Sequence, residues 1–168
     1  MVCMAIPEHL RELRSHVGHA MIMIPSVSAV VVNDDGELLL GRRSDDGRWS
    51  LLAGIQEPGE QPAAAIVREV FEEAAVEVRV ERLLGVALHP RTYPNGDVCQ
   101  FANTWFLCRV IGGEARVNDD ESLEVRWFAA DALPPVDPWE QLRIETALKG
   151  DPAAWFLRPG DTHPALDF

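Results

Sequence analysis

A cluster of glutamates that follows a glycine turn constrains this chain more than any other stretch of its sequence. Within residues 49–76, Glu69, Glu72 and Glu73 are spaced at i, i+3 and i+4. At about 100° of rotation per residue, their side chains fall within one arc of a helix roughly 100° wide. Three neighbouring carboxylates repel one another, so the pattern has two interpretations: an acidic face in contact with water, or a set of ligands around a cation.

The residues around this cluster extend the pattern in both directions. The opposite arc of the helix carries four apolar residues and predicts that this side packs on a core; they are Val67, Val70, Phe71 and Ala74. Upstream, Gly54, Glu60 and Arg68 stand at fixed distances from the cluster. A chain of this length has this set by chance on the order of once in ten thousand sequences or less, which favours the ligand interpretation.

The stretch resembles the Nudix box, G-x5-E-x7-R-E-U-x-E-E-x-G-U, where U is a bulky aliphatic residue. The matching residues are Gly54, Glu60, Arg68, Glu69, Val70, Glu72, Glu73 and Val76. The sequence departs from the box at Ala75, where the family usually has glycine. It also has Ala53 and Ile55 where many members read Pro-Gly-Gly. The general resemblance extends over about residues 25–134.

This resemblance implies a fold of the α/β class, of the α+β type: a mixed β-sheet sandwiched between α-helices, with the glutamate helix on one side. Around a Nudix hydrolase domain at residues 25–134, we expect a helical N-terminal extension at residues 1–24. At residues 135–168 we expect a C-terminal helix and tail packed on the same domain. Many family members form homodimers, and the apolar face of the N-terminal helix packs either on the domain or on a second subunit of a homodimer.

Ala75 has a physical consequence for the glutamate helix. Glycine at that position normally ends the helix in a left-handed turn, and alanine in that conformation costs roughly 1 kcal/mol. We therefore expect this helix to end with a different geometry. Because the carboxylates lie one turn earlier, we expect metal binding to be retained.

The resemblance also implies a site for Mg²⁺ or Mn²⁺, since both ions prefer carboxylate oxygens and bind phosphates. The implied metal ligands are the side chains of Glu69, Glu72 and Glu73 and the backbone carbonyl of Gly54. Arg68 and Glu60 are expected to orient these ligands through an ion pair and hydrogen bonds. The candidate catalytic residues are Glu121, Glu69, Arg68 and Glu60.

The implied reaction breaks a bond between two phosphates. Bound cations would polarise a phosphorus and lower the pKa of a water molecule so that it can attack. The proton acceptor is either Glu121, in an acidic loop where family members often place an acid, or one of the helix glutamates. The products would be a nucleoside monophosphate and a phosphorylated remainder, or pyrophosphate if the substrate is a nucleoside triphosphate.

Four residues outside the box are candidate substrate contacts. Arg42 and Arg43 end a predicted strand and are either phosphate contacts or ordinary surface residues. Arg91 and Tyr93 lie in a segment rich in turn formers, residues 89–97, of the kind where substrate choice often resides. The Tyr93 ring either stacks on a base or caps the core.

Two further segments, residues 92–97 and 120–128, resemble a bacterial Nudix subgroup labelled as ADP-ribose pyrophosphatase-like. They favour hydrolysis of a nucleoside diphosphate linked to another moiety, such as ADP-ribose or a nucleotide sugar. The alternatives are a house-cleaning nucleoside triphosphate pyrophosphohydrolase and a catalytically silent nucleotide-binding module. The zinc cysteines and tandem tryptophan motif of NADH-cleaving members are absent from the sequence.

Composition restricts the partners and the compartment. A net charge of −12 and a pI near 4.7 argue against a nucleic-acid polymer or an anionic membrane as the main partner, but not against a small nucleotide. Three cysteines without C-x-x-C spacing predict free thiols in a cytoplasmic protein. We find no signal-peptide pattern, and the apolar run at residues 20–32 is too short to span a bilayer.

Periodicity and turn residues predict the secondary structure. Helices are expected at residues 7–17, 62 to about 75, and 138–149, the first with Ile6, Leu10, Leu13 and Val17 on one face. Strands are expected at residues 26–32 and 38–40, joined as a hairpin by an Asp-Gly turn, and at 49–52, 76–80, 82–88, 98–111 and 122–128. Residues 89–97 are predicted to be a loop, 131–133 a short helical turn, and the C-terminal tail loosely held.

Overall fold

The computed structural model describes residues 7–166, which alternate between strands and three α-helices. The helices are α1 (Glu8–Val17), α2 (Pro62–Ala74) and α3 (Pro138–Leu148). The strands are β1 (Ile22–Val32), β2 (Leu38–Arg43), β3 (Trp49–Ser50), β4 (Leu52–Ile55), β5 (Val76–Thr92), β6 (Val98–Gly113), β7 (Ser122–Phe128) and β8 (Trp155–Phe156). A 3₁₀ turn at Pro164–Leu166 ends the described chain.

All eight strands belong to one mixed sheet. The order across it is β3-β2-β1-β6-β5-β8, with β4 paired to β1 and β7 paired to β2. The pairs β1–β6 and β5–β8 are parallel, and the remaining pairs are antiparallel. The predicted mixed sheet is therefore confirmed.

The two faces of β1 bury side chains against different helices. Val27, Ala29 and Val31 lie in one core with residues of α2, and Val30 lies in a second core with residues of α3. Because successive side chains of a strand point to opposite faces, this alternation places α2 and α3 on opposite sides of the sheet. The predicted sandwich, with the glutamate helix on one side, is confirmed.

The predicted antiparallel connection of β1 and β2 through the Asp-Gly turn is confirmed, but the pairing between them is short. These strands share a single pair, Val32 with Leu38. Residues Ser26 to Ala29 pair with β4 instead, and the whole of β1 pairs with β6 on its other edge. The Asp-Gly turn signal is local, whereas β4 fills the edge of β1 beside which β2 was expected to lie.

The buried stripe of α2 also differs from the prediction. Val70 and Ala74 are fully buried as expected, but the side chains of Val67 and Phe71 are 36% and 49% exposed. Ile66, four residues before Val70, is buried in their place. The contact with the sheet thus follows the i, i+4 line of α2, and its flank remains in solvent.

The end of α2 contradicts the expectation for Ala75. This residue adopts the left-handed conformation with φ 55°, and its N–H donates to the Phe71 carbonyl at 2.9 Å. It is the one non-glycine residue with positive φ among residues 7–166. The next residue, Val76, pairs with Gly113, so the sheet fixes where the chain must turn.

Three other expectations need correction. The predicted loop at residues 89–97 is strand as far as Thr92, and only Tyr93 to Asp97 form a turn, closed by Tyr93 N–H to Asp97 carbonyl at 2.9 Å. Residues 131–133 form a turn rather than a helix. The tail is ordered through residue 166, because Trp155 pairs with Gly85 and Leu166 is buried in the α3-side core.

Helix α1 docks at the end of β1 and β6. Leu10 is buried with Ile22, Ile24 and Cys99. Leu13 and Val17 are 41% and 38% exposed, and Ile6 lies outside the described residues. No helix within residues 7–166 has the length and apolar character needed to cross a membrane.

Candidate active site

Two glutamates from opposite helices hold the strand that carries Gly54. Glu140 on α3 accepts the N–H of Leu51 at 3.0 Å, and Glu73 on α2 accepts the N–H of Ala53 at 3.0 Å. These N–H groups are two residues apart, where β3 gives way to β4. The position of Gly54 relative to both helices is therefore fixed through side chains.

Gly54 and Glu69 are packed against each other so tightly that no side chain fits between them. A Cβ atom added to Gly54 would lie 1.9 Å from the carboxyl carbon of Glu69. This is far inside contact distance, and the obstacle is the group that the sequence predicts as a metal ligand. The glycine is therefore required by close approach of the Glu69 carboxylate to the backbone.

Arg68 joins the glutamates of this region into one network. Its guanidinium donates to both carboxylate oxygens of Glu60, at 3.0 and 2.9 Å, to Glu69 at 2.8 Å and to Glu72 at 3.0 Å. It also reaches the carbonyl of Ile55 at 3.3 Å. One arginine thus restrains three carboxylates together with the strand after Gly54.

Burial and crowding disfavour negative charge at two of the helix glutamates. Burial raises the pKa of Glu69 to about 7, although Arg68 opposes the rise. Burial also raises the pKa of Glu73 well above its usual range, and the nearby carboxylates of Glu69, Asp119 and Glu121 raise it further. In contrast, the hydrogen bond from Arg68 lowers the pKa of Glu60.

The acidic loop before β7 is fastened to the end of α2. The backbone N–H of Asn118 donates to the Glu73 carbonyl at 3.1 Å, and its side-chain amide donates to the Phe71 carbonyl at 3.0 Å. Further along, the Glu121 carbonyl accepts the Ser44 N–H at 2.8 Å. These bonds satisfy carbonyls at the helix end and bring Glu121 beside the helix glutamates.

Three cavities meet around residues 53–55. The helix-side cavity, about 350 Å³, is lined by Glu69, Glu72 and Arg68. The inner cavity, about 40 Å³, is lined by Glu73 and Arg43. The sheet-side cavity, about 260 Å³, lies over the strands and the start of α3. Ala53 lines all three cavities, Gly54 lines the two larger ones, and Glu121 lines the inner and helix-side cavities.

Three of the four predicted substrate contacts line the sheet-side cavity: Arg43, Arg91 and Tyr93. The Arg91 guanidinium lies 5.2 Å from the centre of the Tyr93 ring and 3.6 Å from Asp45. Arg43 forms an ion pair with Asp45, and this pairing lowers the pKa of the Asp45 carboxyl. Arg42 lines none of the three cavities described above, and its Nε donates to the Gly47 carbonyl at 3.1 Å.

The sheet-side cavity also contains residues that the sequence interpretation missed. His89, which was not predicted, precedes Arg91 by two residues along β5, and Tyr93 follows the strand at the same spacing; all three line the same cavity. The His89 ring stacks on Trp139 of α3 with 5.1 Å between centres. Period-two spacing was the available signal, but two prolines and an Asn-Gly pair made this stretch look like a loop.

The donor set fits a hard divalent cation. It offers three glutamate carboxylates and a backbone carbonyl, and the Glu69 carboxylate occupies the space that a side chain at position 54 would fill. Within residues 7–166, no three acidic, histidine or cysteine side chains yet converge on one point. Arg68 holds the carboxylate of Glu72, while Glu73 turns towards the Ala53 N–H.

Comparison with known proteins agrees with this geometry. The family model of the NUDIX domain matches residues 23–147, more than half of the chain. The chain belongs to the Nudix family. Nudix hydrolases generally need divalent cations, and the glutamate helix, the Gly54 strand and all but the last residue of α3 fall within the matched residues.

The chain is similar to several curated Nudix relatives. It is 39% identical over 108 residues to a MutT-like protein of Streptomyces ambofaciens, covering 64% of this chain and 65% of that protein. It is 38% identical over 114 residues to the NAD-capped RNA hydrolase NudC of Pseudomonas putida, covering 67% of this chain and 38% of that one. It is 34% identical over 111 residues to an ADP-ribose pyrophosphatase of Methanocaldococcus jannaschii, covering 65% and 63%.

Each of these matches spans less than two thirds of the relative's own length. Among solved structures, a MutT NUDIX hydrolase from Burkholderia pseudomallei is 27% identical, with a TM-score of 0.59. That match covers 74% of this chain and 98% of the other. The Nudix fold and family are thus established, and the family match extends from residue 23 in β1 through nearly all of α3.

Proposed function

We propose that this protein hydrolyses a phosphoanhydride bond in a nucleoside diphosphate linked to another moiety, of the ADP-ribose or nucleotide-sugar type. The observation that carries the proposal is the junction at Gly54. There, two carboxyl groups with pKa values raised by burial, those of Glu69 and Glu73, lie beside the sheet-side cavity. That cavity is lined by arginines and aromatic rings. One side of the junction suits cations, and the other suits the flat, anionic body of a nucleotide.

In this proposal Glu69, Glu72, Glu73 and the Gly54 carbonyl hold Mg²⁺ or Mn²⁺. A divalent cation there supplies positive charge next to the phosphates and makes water more acidic. Arg68 and Glu60 keep the Glu69 carboxylate against Gly54, so that its oxygens stay in place before substrate arrives. Arg68 binds one oxygen of the Glu72 carboxylate, and the other oxygen can bind the cation.

Glu121 accepts the proton of the attacking water in this proposal. Its loop is fastened to α2, and it lines the cavities of both Glu69 and Glu73. The water oxygen forms the new bond to phosphorus while the bridging P–O bond breaks. The leaving phosphate takes the electron pair, giving a nucleoside monophosphate and a phosphorylated remainder.

Arg43 and Arg91 bind the phosphates and ribose from the sheet side, and the Tyr93 ring stacks on the base. The cation–π pair of Arg91 and Tyr93 supports this arrangement, since it holds a charge and a ring on the same wall. Arg42 is the weakest of the four candidates, because its guanidinium is turned towards the loop at Gly47.

Similarity to two kinds of relative favours two further substrate classes. Similarity to a MutT-like protein favours hydrolysis of nucleoside triphosphates to monophosphates and pyrophosphate. Similarity to NAD-capped RNA hydrolases extends the substrate classes beyond the small nucleotides expected from the net charge. A silent nucleotide-binding module is the least supported reading, because all four box glutamates are present. Homodimerisation and a cytoplasmic location stay predictions.

A substrate panel separates these possibilities. ADP-ribose, nucleotide sugars, the nucleoside triphosphates, NADH and an NAD-capped RNA oligomer would be incubated with Mg²⁺ or Mn²⁺, and products identified by chromatography. We expect the largest kcat/KM for ADP-ribose or a nucleotide sugar. Preferred cleavage of a triphosphate or of the capped RNA would replace the proposed substrate class. Nucleotide binding without any turnover would leave only the binding-module reading.

A further inference from the structure

Helix α1 forms one wall of the helix-side cavity. Pro7, Glu8 and Arg11 line that cavity together with Gly54, Glu69 and Glu72. Glu8 and Arg11, three residues apart, share a face of α1, and Pro7 precedes the helix on the same side. They precede residue 23, so they lie outside the part of the chain that the family model matches.

The position of α1 is fixed by contacts of residues other than those that line the cavity. Leu10, next to Arg11, is 5% exposed and packs on Ile22 and Ile24. Arg14, one turn further on, donates to the Val98 carbonyl at 2.8 Å and to the Cys99 sulfur at 3.1 Å. Arg11 therefore faces the cavity from a helix that is anchored to the sheet.

Two arginines line the helix-side cavity, and they differ in their partners. Arg68 is fully engaged by Glu60, Glu69 and Glu72. The guanidinium of Arg11 makes no hydrogen bond and no ion pair with any residue of the described chain from 7 to 166. Arg11 is thus a cation beside the candidate catalytic carboxylates whose five N–H donors remain available to a ligand.

We propose that Arg11 binds a phosphate group of the substrate in the helix-side cavity, so that the N-terminal helix is part of the substrate-binding site. The guanidinium fork matches phosphate oxygens and binds them in pairs. The inference rests on the proposed function, because it assigns a further residue to the same diphosphate substrate. Arg11 contributes to substrate binding and transfers no proton in the reaction.

The test uses methylenediphosphonate, a diphosphate analogue that cannot be hydrolysed, titrated calorimetrically into the full chain in saturating Mg²⁺. Arg11→Ala should bind it about tenfold more weakly than the unchanged protein, as expected for loss of a charged hydrogen-bond donor. Arg11→Lys should recover part of the affinity. Arg158→Ala is the matched control, because Arg158 is exposed and lines none of the three cavities, and it should bind normally.

Thermal unfolding of Arg11→Ala should match that of the unchanged protein, which separates a binding role from a structural one. With the preferred substrate, the same variant should raise KM about tenfold and leave kcat nearly unchanged. Equal affinity of Arg11→Ala and the unchanged protein for methylenediphosphonate would overturn the inference, as would no binding to the unchanged protein. Arg11-dependent binding without hydrolysis of any panel substrate would uphold the inference and refute the proposed activity.

Discussion

On each face of the sheet, a glutamate from the adjacent helix accepts a hydrogen bond from the strand segment before Gly54. The two glutamates differ in their charged neighbours. Glu140 on α3 is buried, accepts the Leu51 N–H and forms an ion pair with Arg143. Glu73 on α2 accepts the Ala53 N–H, and no ion pair to it is found among residues 7–166. Its charged neighbours are carboxylates.

This difference separates a closed structural site from the open site that we propose to be functional. Arg143 also donates to Ser28 and lies over the Trp139 ring, so the α3 pair is neutralised and hydrogen-bonded within the protein. On the α2 side the protein keeps negative oxygens together and supplies too little positive charge of its own. Such an arrangement is costly without a ligand, which is why it indicates cation binding.

Glu140→Gln tests the closed site and should give the largest change in stability. It leaves the buried Arg143 without its counter-charge, so unfolding free energy should fall by about 3–5 kcal/mol. At a temperature where the variant is folded, kcat should stay within about threefold of the unchanged enzyme. Urea unfolding and steady-state kinetics measure both, and a stable but inactive variant would contradict the structural role of this pair.

Glu73→Gln is the counterpart on the open site. Glutamine keeps an acceptor for the Ala53 N–H but removes a candidate metal ligand, so turnover should fall by at least about a hundredfold. Because the charge is disfavoured by burial, the melting temperature in EDTA should be unchanged or higher. Near-normal turnover, or a large loss of stability, would make Glu73 a structural residue like Glu140.

Gly54→Ala tests the close approach between strand and carboxylate. The added Cβ displaces Glu69, so kcat/KM should fall about tenfold or more. Gly41→Ala is the control in the same sheet, since its Cβ would meet Leu52 and Ser122 at 3.3 Å, which small shifts relieve. If both variants keep full activity, the position of Glu69 does not matter to the reaction.

Glu69, in the open site, should make the stability of the protein depend on pH. Its folded-state pKa, about 7, lies above the ordinary value of 4.5, so the folded protein binds more protons between those pH values. Stability from this group is therefore complete below pH 4.5 and is lost as pH rises through 7. In EDTA, the melting temperature of Glu69→Gln relative to the unchanged protein should increase by about 5 °C or more from pH 5 to pH 8. A constant difference would refute the shift.

The helix ends offer the smallest effect. Helix α2 turns through Ala75 at φ 55°, whereas α3 is followed by Gly150 at φ 66°. Ala75→Gly should stabilise the fold by about 1 kcal/mol, and Gly150→Ala should destabilise it by a similar amount. Thermal unfolding of the two variants measures these changes. If Ala75→Gly destabilised the fold and Gly150→Ala stabilised it, neighbouring contacts would outweigh backbone strain.

The glutamate helix and the sandwich around it could be predicted because their signals are local. Helical spacing places Glu69, Glu72 and Glu73 on one arc, and β-branched alternation marks the strands. The closed site could not be predicted, since Glu140 meets Leu51 across 89 residues. Nor does any local pattern indicate that Arg11 lines the same cavity as residues that follow it by more than forty positions in the chain.

The wrong expectations share a cause. At Ala75 and at residues 89–92, intrinsic preferences of a few residues were outweighed by strand pairing, which also limits the hairpin of β1 with β2 to one pair. Gly113, Gln100 and β4 respectively supply the pairing partners that a local pattern does not reveal. Propensity differences near 1 kcal/mol are small beside the many hydrogen bonds of a sheet.

Affinity for Mn²⁺, measured by the loss of the free-ion electron paramagnetic resonance signal, tests the central claim most directly. At pH 8 the unchanged protein should bind Mn²⁺, Glu73→Gln should bind it at least about tenfold more weakly, and folded Glu140→Gln should bind it normally. Equal affinity in the unchanged protein and Glu73→Gln would contradict the claim that the carboxylates of α2, Glu73 included, form the cation site.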